Sequence, residues 1–213
     1  MWFSWKDRYH PQEGGAERVS AQIMQRMVRD GHSVTLITSL YPGACERELR
    51  DGIEIIRGGG RYGVYFKARG LYKKYVKDED LVIDEMNTLP FFAGLYCHTS
   101  HKVLLSYQLA REVWFHQMKA PFSYVGYLLE PLMLRLVGRM YPITLTESKS
   151  SQHDMQAHGL KGVGVFPVGM DTKPLSKLPV KKSPTMVLSL GSVRPMKRTL
   201  EAIKAFEVAH TSR

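Results

Sequence analysis

A chain of 213 residues, 44 % hydrophobic and 23 % charged, has the make-up of one large globular domain, or of one domain and part of another. The formal net charge of +10 favours anionic partners: nucleotide phosphates, anionic lipid head groups or nucleic acid. No recognition helix, zinc-ligand set or aromatic RNA-binding strand accompanies the charge, which argues against nucleic acid, and dispersed lysines and arginines are more often simply a solvated surface. The two cysteines, Cys45 and Cys97, lie far apart with no signal peptide before them, which predicts free thiols in a reducing cytoplasm.

The chain opens on a short apolar and aromatic run, Trp2-Phe3, read as a first strand, followed by a turn-rich stretch that ends in Gly14-Gly15. From there Val19, Ile23 and Met27, with Ala16, Ser20 and Met24 beside them, fall at helical spacing. Gly31-His32 ends that helix, and Val34-Thr35-Leu36-Ile37 begins a second strand. Gly14 and Gly15 therefore sit where a strand hands over to a helix amino terminus. Unpaired N–H groups and the helix dipole favour an anion there, and glycine admits it to the backbone. A simple tight turn explains the two glycines equally well. The Gly-x-Gly-x-x-Gly fingerprint and the phosphate-binding P-loop are both missing, which disfavours a nicotinamide enzyme or an NTPase.

A turn around Pro42-Gly43 leads to a third strand, Gly52–Arg57, and Gly58-Gly59-Gly60 opens an aromatic and basic segment through Lys74. Leu81-Val82-Ile83-Asp84 reads as a buried strand ending in carboxylates. Val103–Tyr107 is another, with a helical segment around Arg111 and Glu112 after it. Cys97, His98 and His101 cluster suggestively for a metal, but no fourth ligand has convincing spacing, and surface histidines are the plainer reading. Pro121–Tyr141 is strongly apolar, yet Glu130, Arg135, Arg139 and Pro131 make it a poor spanning helix. A core helix is the default for it, and an apolar, basic-edged face on a membrane surface the alternative. Ile143–Thr146 is a further strand, and a helix capped by Ser/Thr-type residues runs on to His158-Gly159.

Apolar strands alternating with helices predict an α/β fold, a Rossmann-like parallel sheet with helices on both faces. Ligands bind beyond the carboxyl ends of such strands, where Gly14, Gly15, Asp84, Glu85, Tyr107, Gln108 and Glu147 all fall. Each acidic residue, taken singly, is as well explained as a helix cap or loop brace. Residues 173–185 have the composition of a linker. Met186–Gly191 then reads as a fresh strand, 192–197 as a basic loop, and Ala202, Ala205, Phe206 and Ala209 as one helix. One strand and one helix cannot bury a core, so 186–213 is expected to be the start of a second, truncated domain.

Several of these segments, in this order, resemble the retaining, nucleotide-sugar-dependent glycosyltransferases of the two-domain GT-B fold. Ser4–Asp7 through Gly14–Glu17 is similar to that family's amino-terminal loop, and Gly31–Thr35 to its helix-to-strand junction. Asp84–Phe92 and Gln108–Trp114 resemble segments of one bacterial and archaeal branch. Leu190–Arg198 with Ala202–Phe206 resembles the strand, basic loop and helix that open the donor domain. The resemblance implies an acceptor-side domain over 1–172, the linker 173–185 and an incomplete donor domain over 186–213.

It also implies transfer of a hexosyl group, with retention, from a nucleotide-diphosphate sugar to a lipid-linked, polysaccharide or other glycan acceptor, with no cofactor and no obligatory metal. Gly14 and Gly15 would approach phosphate or acceptor, and Lys197, helped by Arg194, would neutralise the leaving diphosphate. Cell-envelope glycan synthesis in the cytoplasm, or peripherally at the inner membrane face, follows from the same likeness. The chain departs from the pattern at Ser192, where the family has arginine, and at Tyr107, where many members have histidine. The paired glutamates of the family's donor half are absent, which implies little catalysis by these 213 residues alone. The alternative is a non-catalytic relative that binds sugar phosphate, nucleotide or an anionic membrane surface.

Overall fold

In the computed structural model the described residues are 1–76, 78–169, 172–177, 186–191, 193 and 197–211. The chain divides into a larger unit, Met1–Ala110 with Leu128–Val168, and a smaller one, Arg111–Tyr127 with Gly169–Arg213.

The larger unit is an eight-stranded α/β sandwich of the Rossmann-like kind, with strand order β3-β4-β2-β1-β5-β6-β7-β8. The strands are β1 (Trp2–Phe3), β2 (Val34–Ser39), β3 (Arg47–Arg50), β4 (Ile53–Gly58), β5 (Val82–Met86), β6 (Lys102–Ser106), β7 (Ile143–Thr146) and β8 (Val163–Val165). All pairings are parallel except that of edge strand β3 with β4. From β1 the chain builds outward through β2 and β4, then returns to place β5 on the other flank of β1. That reversal is the topological switch point, the place where such sheets leave a crevice at the carboxyl ends of their strands.

Period-two alternation sends neighbouring residues to opposite faces. Trp2, Leu36, Ile55 and Leu105 pack with Met24 of α1 (Gly15–Arg29) on one face. Phe3, Ile37 and Ile56 pack with Val64, Ala68 and Tyr72 of α2 (Gly60–Tyr75) on the other. Farther along, Met86 and Leu104 pack with Leu134 and Val137 of α4 (Phe122–Met140) and Met155 of α5 (Lys149–Ala157). Because both faces are covered, the central strands read as apolar runs.

Several features differ from the sequence expectations. The segment after Gly58 is a full helix, α2, whose signal was the spacing of Val64, Ala68 and Tyr72, masked by aromatics and by Gly63 and Gly70. Gly59 starts it at φ +76, and a Cβ there would come within 2.3 Å of the Gly63 backbone, so glycine is required twice over. Strands β3 and β8 are not among the expected ones: β3 is the charged edge run Arg47-Glu48-Leu49-Arg50, and β8 is only three residues long with Gly164 at its centre. The helix expected around Arg111 and Glu112 begins one residue later, as α3 (Val113–Gln117).

The smaller unit holds α3, the first residues of α4 and α6 (Thr199–Thr211). Gly126 is a contact glycine: a Cβ there would lie 2.5 Å from the Trp114 ring. Met186–Gly191 forms no strand, contrary to expectation, and Leu188 and Leu190 are exposed. A strand exists only by pairing, and no strand of the described residues runs beside it. Helix α6 forms as expected and buries none of its residues.

Candidate functional site

The loop between β1 and α1 is held from beneath by a buried ion pair. Arg57, at the end of β4, donates from Nε to Asp7 Oδ2 at 2.6 Å, and both side chains are buried. Its Nη1 reaches the Cys45 carbonyl at 3.0 Å and Glu48 at 2.7 Å, while Nη2 is buried without a partner. Burial works against the guanidinium charge, but Asp7 and Glu48 outweigh it and hold its pKa above the ordinary value. Asp7 Oδ1 in turn accepts from the Tyr9 N–H at 2.7 Å. The sequence reading missed Arg57; the available signal was a lone charge closing the apolar run Ile53–Ile56.

At the amino terminus of α1 the structure modifies the expected anion site. Glu17 turns back and accepts the Gly14 N–H at 2.6 Å, and its other oxygen meets Lys6 Nζ at 3.2 Å. This chain therefore places its own carboxylate against the helix dipole, balanced by Lys6. Gly14 is extended at φ −132, and a Cβ on it would sit 3.1 Å from Glu17 Oε2. Gly15 faces open space, with nothing within 4 Å of a Cβ, so it and not Gly14 offers the backbone approach. The N–H groups of Gly15, Ala16 and Glu17 have no acceptor in the preceding turn. His10 lies in the same loop, half-buried against the Tyr41 ring. Its Nδ1 accepts from the Gln12 N–H at 3.0 Å, and burial followed by Lys6 lowers its pKa. A neutral His10 then carries its proton on Nε2, as a donor at the loop surface.

Asp84 and Glu85 are consecutive in β5 and face opposite sides of the sheet, both fully buried. Asp84 is structural and lines no open cleft. Its oxygens accept the N–H groups of Phe91 at 2.9 Å and Ala93 at 3.0 Å, together with the Tyr141 hydroxyl. Glu85 lies on the α1 side. Its Oε2 accepts from Trp2 Nε1 at 3.0 Å and Ser20 Oγ at 2.7 Å, and its Oε1 is buried with no partner. Burial pushes the Glu85 carboxyl up to about 7, against the pull of those two donors.

Tyr107, just past β6, joins this network: its hydroxyl lies 3.1 Å from Ser20 Oγ and 3.3 Å from the Ala16 carbonyl. A chain of hydrogen bonds thus runs Tyr107–Ser20–Glu85 across the switch point. The Tyr107 proton points inward, to α1. Burial first, and then Glu85 and Glu147, raise its pKa, so it remains a neutral donor at physiological pH.

Of the other expected residues, Glu147 is exposed beyond β7 and close enough to act on Tyr107 electrostatically. Gln108 is exposed, and its carbonyl accepts from Ser106 Oγ at 3.3 Å. Lys197 belongs to the smaller unit and is exposed; Arg194 and Ser192 lie outside the described residues. Cys97 is buried in the α2-side core while His98 is exposed, and among the described residues no group of three or more acids, histidines or cysteines could hold a metal. No described helix is long and apolar enough to cross a membrane. No protein-family model matches the chain, and a search of curated proteins finds no relative.

What the geometry gathers is Gly15, His10, Lys6, Glu17, Ser20, Glu85 and Tyr107, all at the carboxyl ends of β1, β5 and β6 or at the start of α1. The set offers backbone and imidazole donors at the surface, over a buried carboxyl that titrates near neutrality.

Proposed function

We propose that the larger unit is the acceptor-side half of a retaining transferase that moves a hexosyl group from a nucleotide-diphosphate sugar to a glycan or lipid-linked acceptor. The observation that carries this reading is the convergence of Gly15, His10 and the Glu85–Ser20–Tyr107 network on the switch point between β1 and β5. Open α/β sheets take their ligands there. The resemblance of the opening loop and of Leu190–Arg198 to sugar-nucleotide transferases supports it further. In this reading the Gly15 N–H and the His10 Nε2–H donate to an acceptor hydroxyl or phosphate, and the buried network holds α1 against β5 and β6. Lys197 and Arg194 neutralise the departing diphosphate, since fixed cations act most strongly where charge grows in the transition state. The chemistry requires no metal.

The reading is tested first by binding. Saturation-transfer NMR on the purified chain should detect sugar phosphates or glycan acceptors. Gly15→Val, which places side-chain atoms in open space without straining the fold, should weaken them about tenfold or more. Product of the whole reading frame, given a panel of nucleotide sugars and acceptors, should release nucleoside diphosphate and form a bond of retained configuration. Absence of both binding and release across the panel would overturn the reading.

A further inference from the structure

Helix α2 carries five cations, Arg61, Lys67, Arg69, Lys73 and Lys74, and no acid anywhere in Gly60–Tyr75. Its inner side, Val64, Ala68 and Tyr72, is buried on the sheet. Its outer side presents Tyr62 and then Phe66, which is 88 % exposed, with Arg69 and Lys73 continuing the stripe at helical spacing. A single exposed aromatic needs no explanation. Here it borders a groove of about 520 Å³ whose lining includes Tyr65, Arg69, Leu89, Phe92 and Leu95. The groove floor is fixed: the Tyr65 and Phe91 rings pack at 4.7 Å, and Asp84 holds the backbone of Phe91 and Ala93. The next acids in the chain, Asp78, Glu79 and Asp80, lie in a separate depression beside His98 and Thr99.

A basic helix with one face in the protein and aromatics among cations on the other matches the chemistry of a bilayer interface. An anionic surface complements the surplus positive charge of the helix, of which Lys74 already feels Glu46, and the groove takes an apolar chain. Helix α4 also exposes leucines, Leu128, Leu129, Leu132 and Leu136, but with only Arg135 and Arg139 beside them. Charge complementarity therefore favours α2. We propose that the outer face of α2 and the adjoining groove dock the protein on an anionic lipid bilayer, with Phe66 inserted, the cations over head groups and an acyl chain against Leu89 and Leu95. The docking face is independent of sugar transfer, and it is read without any sugar nucleotide.

The test is co-sedimentation of the purified chain with phosphatidylcholine vesicles, with and without phosphatidylglycerol. Binding is expected only to the anionic vesicles, and it should be released by high salt. Each cation at such a surface contributes about 1 kcal/mol, about fivefold in affinity, so Lys67→Ala/Arg69→Ala should weaken binding about twenty-five-fold. Phe66→Ser should cost about tenfold, and Phe66→Trp should show a blue-shifted emission on vesicle addition. All three positions are exposed, so far-UV circular dichroism should be unchanged. The charge-matched control Lys149→Ala/Lys161→Ala, also at exposed positions, should lose far less. The proposal is overturned by failure to bind anionic vesicles, or by equal losses in the control pair. It is equally overturned if binding falls with Leu128→Ser/Leu132→Ser but not with the α2 variants, which would assign the contact to α4.

Discussion

The two faces of β5 carry adjacent carboxyl groups with opposite fates. Asp84 is saturated: two backbone N–H groups and a tyrosine hydroxyl converge on it, and it ties the loop after β5 to the end of α4. Glu85, one residue on, receives two donors at one oxygen and none at the other, beneath the loop that carries Gly15. Burial raises the pKa of both. A buried polar group with every partner present stabilises a fold, whereas one left half-satisfied is costly unless it serves something else. The contrast separates a brace from a candidate functional group with no appeal to residue type.

The same chemical change should break the two sides unequally. Asp84→Asn places an amide N–H₂ against groups that are themselves donors, and should destabilise by about 4 kcal/mol in urea titrations. Glu85→Gln can place its amide where Oε1 has no partner, and should cost little near pH 7. Equal losses in the two variants would erase the distinction.

The pH dependence comes next in size. Folding favours protonated Glu85, so its contribution is present in full below the unfolded value of 4.5 and is lost as pH rises to about 7. The ceiling is about 3 kcal/mol. Asp84 acts in the same direction. Glu85→Gln should flatten the slope of stability between pH 5 and 8, and an unchanged slope would show that Glu85 does not titrate there.

Smaller effects sharpen the picture. The Tyr141 hydroxyl accepts from the Gly94 N–H at 2.9 Å while it donates to Asp84. Tyr141→Phe leaves the Gly94 N–H without its acceptor and takes one of three donors from Asp84, and should lower stability by about 2 kcal/mol. Ser20→Ala removes one of the donors that favour ionised Glu85. It should cost about 1 kcal/mol at pH 8 and less at pH 5, with the Glu85 titration, followed by carboxyl-carbon NMR, moving upward. A downward move would mean that Ser20 does not donate to Glu85.

Much of the sheet was legible because parallel strands buried on both faces must be apolar; Val34–Ile37, Leu81–Asp84 and Val103–Tyr107 declare themselves in that way. The Gly14-Gly15 loop and the Ser148 cap were legible because few residue types suit such positions, and Ser148 Oγ does accept the Ser151 N–H at 3.1 Å. Arg57 and Ser20 were not, since their importance comes from partners 50 and 65 residues away. Nor could sequence separate Asp84 from Glu85, two acids side by side at the end of one apolar run.

Local pattern by itself determined the class of fold, the strand-to-helix junction and the surplus of positive charge, because periodicity, turn chemistry and net charge are properties of neighbouring residues. Only the tertiary structure decided that Glu17 caps its own helix, that Asp84 is a brace and Glu85 an unsatisfied acid, and that the cations of α2 border an open apolar groove. Those outcomes depend on which donors and which apolar surfaces arrive from distant parts of the chain, and on the low-dielectric interior, where one missing partner shifts both a pKa and the stability of the fold.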